Sequence, residues 1–181
     1  MTTIDPDDTT EPETARLAAD VVMLTERNGQ LYVLLIERGN DPFQGRWAIP
    51  GGRVNRGEEC EDAARRELRE ETGLEAVRLE RVDVYSKVGR DPRDRYVSFA
   101  YVAKLDHMPA PVAGDDARAA RWFPAAEILG QPERLAFDHA KILGDAIAHI
   151  HRGGTHTVSM NVGGNAHVGQ VIGFSFGQGR P

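Results

Sequence analysis

The sequence has a single cysteine, Cys60, and no apolar run near the roughly 20 residues that a membrane span needs. One cysteine excludes an internal disulfide, and its position in a helical pattern indicates ordinary core packing. The first residues also lack a basic segment followed by an apolar one, so no secretory signal is indicated. We therefore expect a cytoplasmic protein that does not enter a membrane.

Basic residues are also fewer than acidic ones. The chain has 22 Lys and Arg against 28 Asp and Glu, which gives a formal net charge of −6 at pH 7. This balance argues against a protein that binds nucleic acid through a large basic surface. At 181 residues the chain has room for one domain with a substantial core.

The two ends of the chain differ in composition from its middle. Residues 1–14 hold five acidic residues, two prolines and little to bury, which predicts a disordered acidic leader. Residues 153–181 hold eight glycines and no acidic residue. Alternating apolar residues in this tail fit a β-hairpin that docks on a sheet edge or binds a partner, but a flexible end fits equally well.

The middle of the chain, residues 15–152, reads as one domain of mixed strands and helices. An Asn-Gly turn at residues 28–29 joins two apolar runs and predicts a hairpin. Apolar stripes at three- and four-residue steps predict two long helices. The predicted strands are 17–25, 31–37, 77–86, 96–105 and 119–123, and the predicted helices are 59–72, a turn at 125–129, and 135–152.

Three glutamates, Glu67, Glu70 and Glu71, lie at positions i, i+3 and i+4 of the first long helix. That spacing puts their carboxylates on one helix face, where they repel each other. A hard divalent cation such as Mg²⁺ or Mn²⁺ prefers oxygen ligands and removes the repulsion. An acidic, solvated helix face is the alternative interpretation of the spacing taken alone.

The surrounding stretch, residues 52–74, fills every fixed position of the pattern G-x5-E-x7-R-E-U-x-E-E-x-G-U, in which U is aliphatic. The matching residues are Gly52, Glu58, Arg66, Glu67, Leu68, Glu70, Glu71, Gly73 and Leu74. The chain therefore resembles the Nudix hydrolases over about residues 17–152. The resemblance implies an α/β/α sandwich with a mixed central sheet and a loop-helix-loop at the motif. It also implies hydrolysis of a nucleoside diphosphate linked to another group.

The same resemblance implies roles for the motif residues. Arg66 is expected to hold a glutamate in place, and Glu67 and Glu70 are expected to take part in catalysis. Our first choice for the general base is Glu67, and the second is Asp116 on a later loop. The residues expected to hold Mg²⁺ or Mn²⁺ are Gly52, through its carbonyl, and Glu58, Glu67, Glu70 and Glu71.

Four arginines outside the motif are candidates for binding the substrate: Arg38, Arg46, Arg90 and Arg95. Arg38 ends a buried strand and Arg46 lies in a loop beside the motif, so both could reach a phosphate. Arg90 and Arg95 lie in a segment dense in charge and turn residues, which could equally be a solvated hairpin tip. The histidines of the last helix are interpreted as structural or surface residues.

Softer similarities favour the ADP-ribose pyrophosphatase-like branch of the family. They lie at residues 88–95, 115–117, 120–124 and 135–143. This branch implies cleavage of ADP-ribose to AMP and ribose 5-phosphate, and its members are often dimers, so a homodimer is possible here. The enzymatic alternative is a hydrolase of the 8-oxo-dGTP type that sanitises the nucleotide pool. The non-enzymatic alternative is a module that senses ADP-ribose or recruits a partner.

Overall fold

The computed structural model describes residues 12–76, 78–114 and 117–152. Its strands are β1 (Arg16–Arg27), β2 (Gln30–Arg38), β3 (Trp47–Ala48), β4 (Gly51–Arg53), β5 (Glu80–Tyr85), β6 (Tyr96–Leu105) and β7 (Ala117–Pro124). Its helices are α1 (Cys60–Thr72), α2 (Ala125–Leu129) and α3 (His139–Arg152), with a short 3-10 turn at Pro132–Arg134.

All seven strands form one mixed sheet. Its main order is β3-β2-β1-β6-β5, while β4 also pairs with β1 and β7 with β2. β1 and β6 run parallel, and the other pairs are antiparallel. The predicted hairpin of β1 and β2 is confirmed: Asn28 and Gly29 both have positive φ, as a tight hairpin turn with native strand twist requires.

The two long helices cover opposite faces of this sheet. On one face, Ala64 and Leu68 of α1 pack against Leu34 of β2, and all three are fully buried. On the other face, Ile142 and Leu143 of α3 belong to a separate apolar cluster that includes alternate residues of the same strands. Side chains of a strand alternate between faces, so a strand covered by two helices must be apolar throughout. The predicted α/β/α sandwich is confirmed.

The predicted start of the last helix, residue 135, is wrong, because α3 begins at His139. Leu135 forms a parallel bridge with Trp47, and the backbone N–H of Ala136 donates to the Trp47 carbonyl at 2.8 Å. Phe137 then takes a positive φ of 52°, which no helix accommodates. Contacts with β3 therefore override the apolar periodicity of residues 135–138.

The other boundaries differ by less. β5 is shorter than the predicted 77–86, β7 extends beyond 119–123, and β6 begins and ends as predicted. β3 and β4 were missed because runs of two and three residues carry no periodic signal. In β4, a Cβ on Gly51 would collide with the Asp20 side chain and the Ala19 carbonyl, so glycine permits the close pairing with β1.

Several sequence predictions fall outside the described residues. They concern the first 11 residues of the leader, the tail at 153–181, and Asp115 and Asp116. Within the described part of the chain, no helix has both the length and the apolar character that a membrane crossing requires. The cytoplasmic location and the homodimer stay predictions.

Candidate active site

A cleft of about 440 Å³ opens over β4 and the start of α3. Carboxylates form one wall, which we call the acidic wall: Asp20, Glu67 and Glu71, with the backbone of Gly51 and Gly52. A second group of lining side chains, which we call the arginine wall, is cationic and aromatic. Its lining side chains include Arg38, Arg90, Arg93, Tyr96 and Phe137.

Glu71 is a deeply buried carboxylate of the acidic wall, with 6% of its surface exposed, the same fraction as Asp20. One of its oxygens accepts a hydrogen bond from the Gly51 backbone N–H at 2.9 Å. Burial, and to a lesser extent the charges of Glu67 and Asp20, raise the pKa of Glu71 to about 8. The acidic wall thus concentrates negative charge that its own hydrogen bonds do not fully offset.

Arg66 organises the remaining motif glutamates. Its Nε and Nη2 donate to the two carboxylate oxygens of Glu58 at 2.8 and 3.0 Å. Its Nη1 donates to Glu67 at 2.7 Å and to Glu70 at 3.1 Å, and Nη2 also reaches the Arg53 carbonyl. The hydrogen bonds from Arg66 are the main reason why the pKa of Glu58 falls to about 2. Arg66 therefore contacts three of the motif glutamates at once.

Gly52 places the β4 backbone directly against Glu67. A Cβ at this position would collide with the Glu67 carboxylate, so any larger residue would displace that side chain. The close approach explains in physical terms why the motif begins with glycine.

The atoms that the acidic wall offers as metal ligands are all oxygens, which a hard divalent cation prefers. Glu67, Glu71 and Gly52 line the cleft, whereas Glu58 and Glu70 point toward Arg66 instead. Among the described residues, no three His, Cys, Asp or Glu side chains converge as a ready metal site. A shared site for Glu67, Glu70 and Glu71 would therefore require Glu70 to exchange Arg66 for the cation, and the metal assignment stays a prediction.

The four predicted substrate arginines separate into two pairs. Arg38 and Arg90 line the cleft. Arg46 is exposed outside the cleft lining, with its guanidinium 5.2 Å from the ring centroid of Phe43. Arg95 also lies outside the lining and donates to Glu13 at 3.0 Å.

The residues that line the cleft but were not among the predicted site residues include Asp20, Arg93 and Phe137. The sequence did mark Asp20 as unusual, because a carboxylate in the middle of an apolar strand is costly to bury unless it has a partner. Asp20 accepts a short hydrogen bond from the Ser98 hydroxyl, within the sheet. Nothing in the sequence marked Phe137 as a site residue, because it fits the apolar stripe of the predicted helix 135–152. That helix in fact begins after it, at His139.

His139, at the start of α3, forms part of the floor of the cleft and is 5% exposed. Its Nδ1 accepts a hydrogen bond from the Ile49 backbone N–H at 2.9 Å, so the ring is a fixed structural link between α3 and the strand region. Burial lowers the pKa of His139, which keeps the imidazole neutral. These contacts fit the structural interpretation of this histidine.

The family is identified by comparison with known proteins. The model of the NUDIX domain matches residues 14–145, so the chain belongs to the Nudix family.

Individual relatives extend this finding. The chain is 44% identical over 114 residues to an ADP-ribose pyrophosphatase of Methanocaldococcus jannaschii, over 62% of this chain and 64% of that protein. It is 41% identical over 104 residues to a putative 8-oxo-dGTP diphosphatase of Bacillus subtilis, over 58% of this chain and 63% of that protein. It therefore spans less than two thirds of either relative. The NUDIX domain of Shewanella oneidensis NrtR complexed with ADP ribose has a similar structure, with a TM-score of 0.70 and 30% identity, over 81% of this chain and 93% of that one.

Proposed function

We propose that the protein is a metal-dependent pyrophosphohydrolase that cleaves ADP-ribose to AMP and ribose 5-phosphate. The observation that carries this proposal is the cleft itself, which is lined by Glu67 and Glu71 and also by Arg38 and Arg93. A diphosphate in this cleft would meet both the cations and, through a metal ion, the carboxylates. The hydrolase of Methanocaldococcus jannaschii and the ADP-ribose-bound domain of Shewanella oneidensis support the choice of substrate.

The acidic wall would hold Mg²⁺ or Mn²⁺ through Glu67, Glu71 and Gly52, with Glu58 and Glu70 available after they release Arg66. The bound cation would neutralise the diphosphate and lower the pKa of an attacking water. Arg66 keeps the glutamates in place, and Arg38 binds substrate oxygens. Glu67 lines the cleft and stays our first choice for the general base. Asp116 is the alternative.

Turnover of a substrate panel with Mg²⁺ and with Mn²⁺, followed by mass spectrometry, tests the activity. We expect ADP-ribose to be the best substrate, with AMP and ribose 5-phosphate as products. Glu71→Gln and Glu70→Gln should each lower turnover at least about tenfold, or ~1.4 kcal/mol of barrier, because each removes a metal-binding charge. Glu75→Gln, an exposed glutamate just beyond the motif, is the matched control and should change turnover little. Losses below tenfold in both motif variants would place the metal site elsewhere.

The same panel separates the alternatives. A preference for 8-oxo-dGTP would favour the nucleotide-sanitising function, which the Bacillus subtilis relative motivates. Binding of ADP-ribose without turnover would favour a sensing module, which the Shewanella oneidensis domain motivates.

A further inference from the structure

We propose that Arg93, oriented by Asp91, is the arginine of the 89–95 loop that contacts the substrate and that it binds the diphosphate. Arg90 and Arg95, the two arginines of this loop that the sequence favoured, maintain the loop instead. The inference rests on the proposed function only in taking a nucleoside diphosphate derivative as the ligand.

Arg90 lines the cleft but is more deeply buried than Arg93. Its Nε and Nη2 donate to the two carboxylate oxygens of Asp138 at 2.9 and 2.6 Å, and its side chain is only 6% exposed. This bidentate pair ties the loop to the residue between Phe137 and α3. Arg90 thus holds the loop in place and offers little exposed surface to a ligand.

Arg93 also lines the cleft but sits differently, because 45% of its side chain is exposed. The Asp91 carboxylate, 5% exposed, accepts hydrogen bonds from the Arg93 backbone N–H at 2.9 Å, from Nε at 3.0 Å and from Nη2 at 2.6 Å. The turn Asp91-Pro92-Arg93 therefore fixes both the backbone and the guanidinium of Arg93. Within the described residues Nη1 has no hydrogen-bond partner, so the guanidinium edge turned away from Asp91 keeps its donors for a ligand.

Aromatic rings fix the plane of this guanidinium. Its central carbon lies 5.1 Å from the ring centroid of Tyr96 and 5.4 Å from that of Phe137. The corresponding carbon of Arg38 lies 4.8 Å from the same Phe137 ring. Two guanidinium groups thus gather around one ring in the cleft that Glu67 and Glu71 also line, and a bound anion would interact favourably with both.

The contacts of Phe137 also indicate which part of the substrate binds here. Its ring is already in contact with Arg38, Arg93 and Phe43, the last at 4.9 Å between ring centroids. These neighbours crowd out a stacked base. Donors on the edge of a guanidinium instead match the paired oxygens of a phosphate group. We therefore assign Arg93 to the diphosphate and not to the base or the terminal ribose.

The primary test measures binding, so that it does not depend on turnover. Calorimetry with Mg²⁺ would compare two probes: the non-hydrolysable α,β-methylene analogue of ADP-ribose, and inorganic pyrophosphate. Arg93→Lys keeps the charge but loses the planar fork, and we expect at least about a tenfold loss of affinity for both probes. The same change at exposed Arg81 of β5 is the matched control, and Arg95→Lys should likewise have little effect.

Asp91→Asn tests the positioning role. Asparagine can still accept the Arg93 backbone N–H but loses the ion pair with the guanidinium, so affinity for both probes should fall about threefold or more. Added to Arg93→Lys, the same change should have little further effect, since both substitutions act through one contact. If Asp91→Asn lowers the affinity equally in the wild-type protein and in Arg93→Lys, Asp91 acts through the fold alone. The urea midpoint of each variant would report any loss of stability separately.

The outcomes are distinct. Unchanged affinity of Arg93→Lys for both probes, or an equal loss in Arg95→Lys, would overturn the assignment. If Arg93→Lys loses affinity for the ADP-ribose analogue but not for pyrophosphate, Arg93 contacts the base or a sugar, and its assignment to the diphosphate is wrong. If the wild-type protein binds the analogue but hydrolyses nothing, the proposed activity fails while the Arg93 assignment stands or falls on the binding data.

Discussion

Replacing Arg66 with methionine should destabilise the protein by about 2–3 kcal/mol. Removing one partner of a buried ion pair costs about 3–5 kcal/mol, while an exposed pair contributes about 0–1 kcal/mol. Arg66 lies between these limits: its side chain is 21% exposed, and those of Glu58 and Glu67 are 16% and 13% exposed. Its five hydrogen bonds, four of them to carboxylates, move the expected value toward the buried limit.

Urea unfolding in EDTA would measure this change. Arg69→Met is the matched control, because Arg69 is an exposed arginine of the same helix and its loss changes the net charge equally. We expect less than about 0.5 kcal/mol for that variant. Saturating Mg²⁺ should reduce the Arg66→Met penalty, because the cation would replace the guanidinium as counter-ion. If Arg66→Met costs no more than Arg69→Met in EDTA, the carboxylate network does not stabilise the fold as argued.

Four further substitutions test the fold. Burial lowers the pKa of His139 in the folded protein below its usual value of about 6.5. The unfolded chain therefore binds a proton at this histidine more readily than the folded protein does, and the free energy of unfolding should fall as the pH drops below 6.5. His139→Asn, whose side-chain oxygen can still accept the Ile49 N–H, should show a shallower fall in urea titrations, and an equal slope would contradict this. Gly51→Ala should lower the free energy of unfolding by about 1–3 kcal/mol, because its Cβ would collide with β1. Gly144→Ala, which has open space in α3, should raise it by about 0.5–1 kcal/mol. A change of the same sign in both variants would contradict this reasoning. Leu68→Ala should cost about 2–5 kcal/mol in urea unfolding, because the side chain is fully buried, and a smaller loss would mean that α1 shifts to fill the cavity.

Local patterns were enough to predict the elements that carry their own start and stop signals. Helix α1 has an apolar face of small residues and ends at Gly73, whose left-handed φ of 67° closes the helix. Strand β6 is bounded by the charged turn before it and by the loop after Leu105. In both cases the neighbouring sequence and the tertiary contacts favour the same boundary.

Residues whose roles depend on distant partners could not be assigned in this way. Arg90 and Arg93 look alike in the sequence and both line the cleft, but the contact with Asp138, far along the chain, leaves Arg90 nearly buried while Arg93 stays exposed. Glu70 and Glu67 likewise share a helix face and a contact with Arg66, yet of the two only Glu67 lines the cleft. Helical spacing predicts which residues are neighbours but not which of two competing partners each one binds.

The parallel pairing of β1 with β6 has a consequence for how the chain folds. It joins Arg16 to Tyr96 and Thr25 to Leu105, so the centre of the sheet cannot close until β6 has been synthesised. The β1–β2 hairpin can form within about 1–10 μs, but at about 5–20 residues per second the ribosome needs roughly 4–16 s to synthesise the chain from the end of β1 to the end of β6. During those seconds one long apolar edge of β1 has no partner. A nascent chain arrested before Tyr96 should therefore bind chaperones and aggregate far more readily than one arrested just after Leu105.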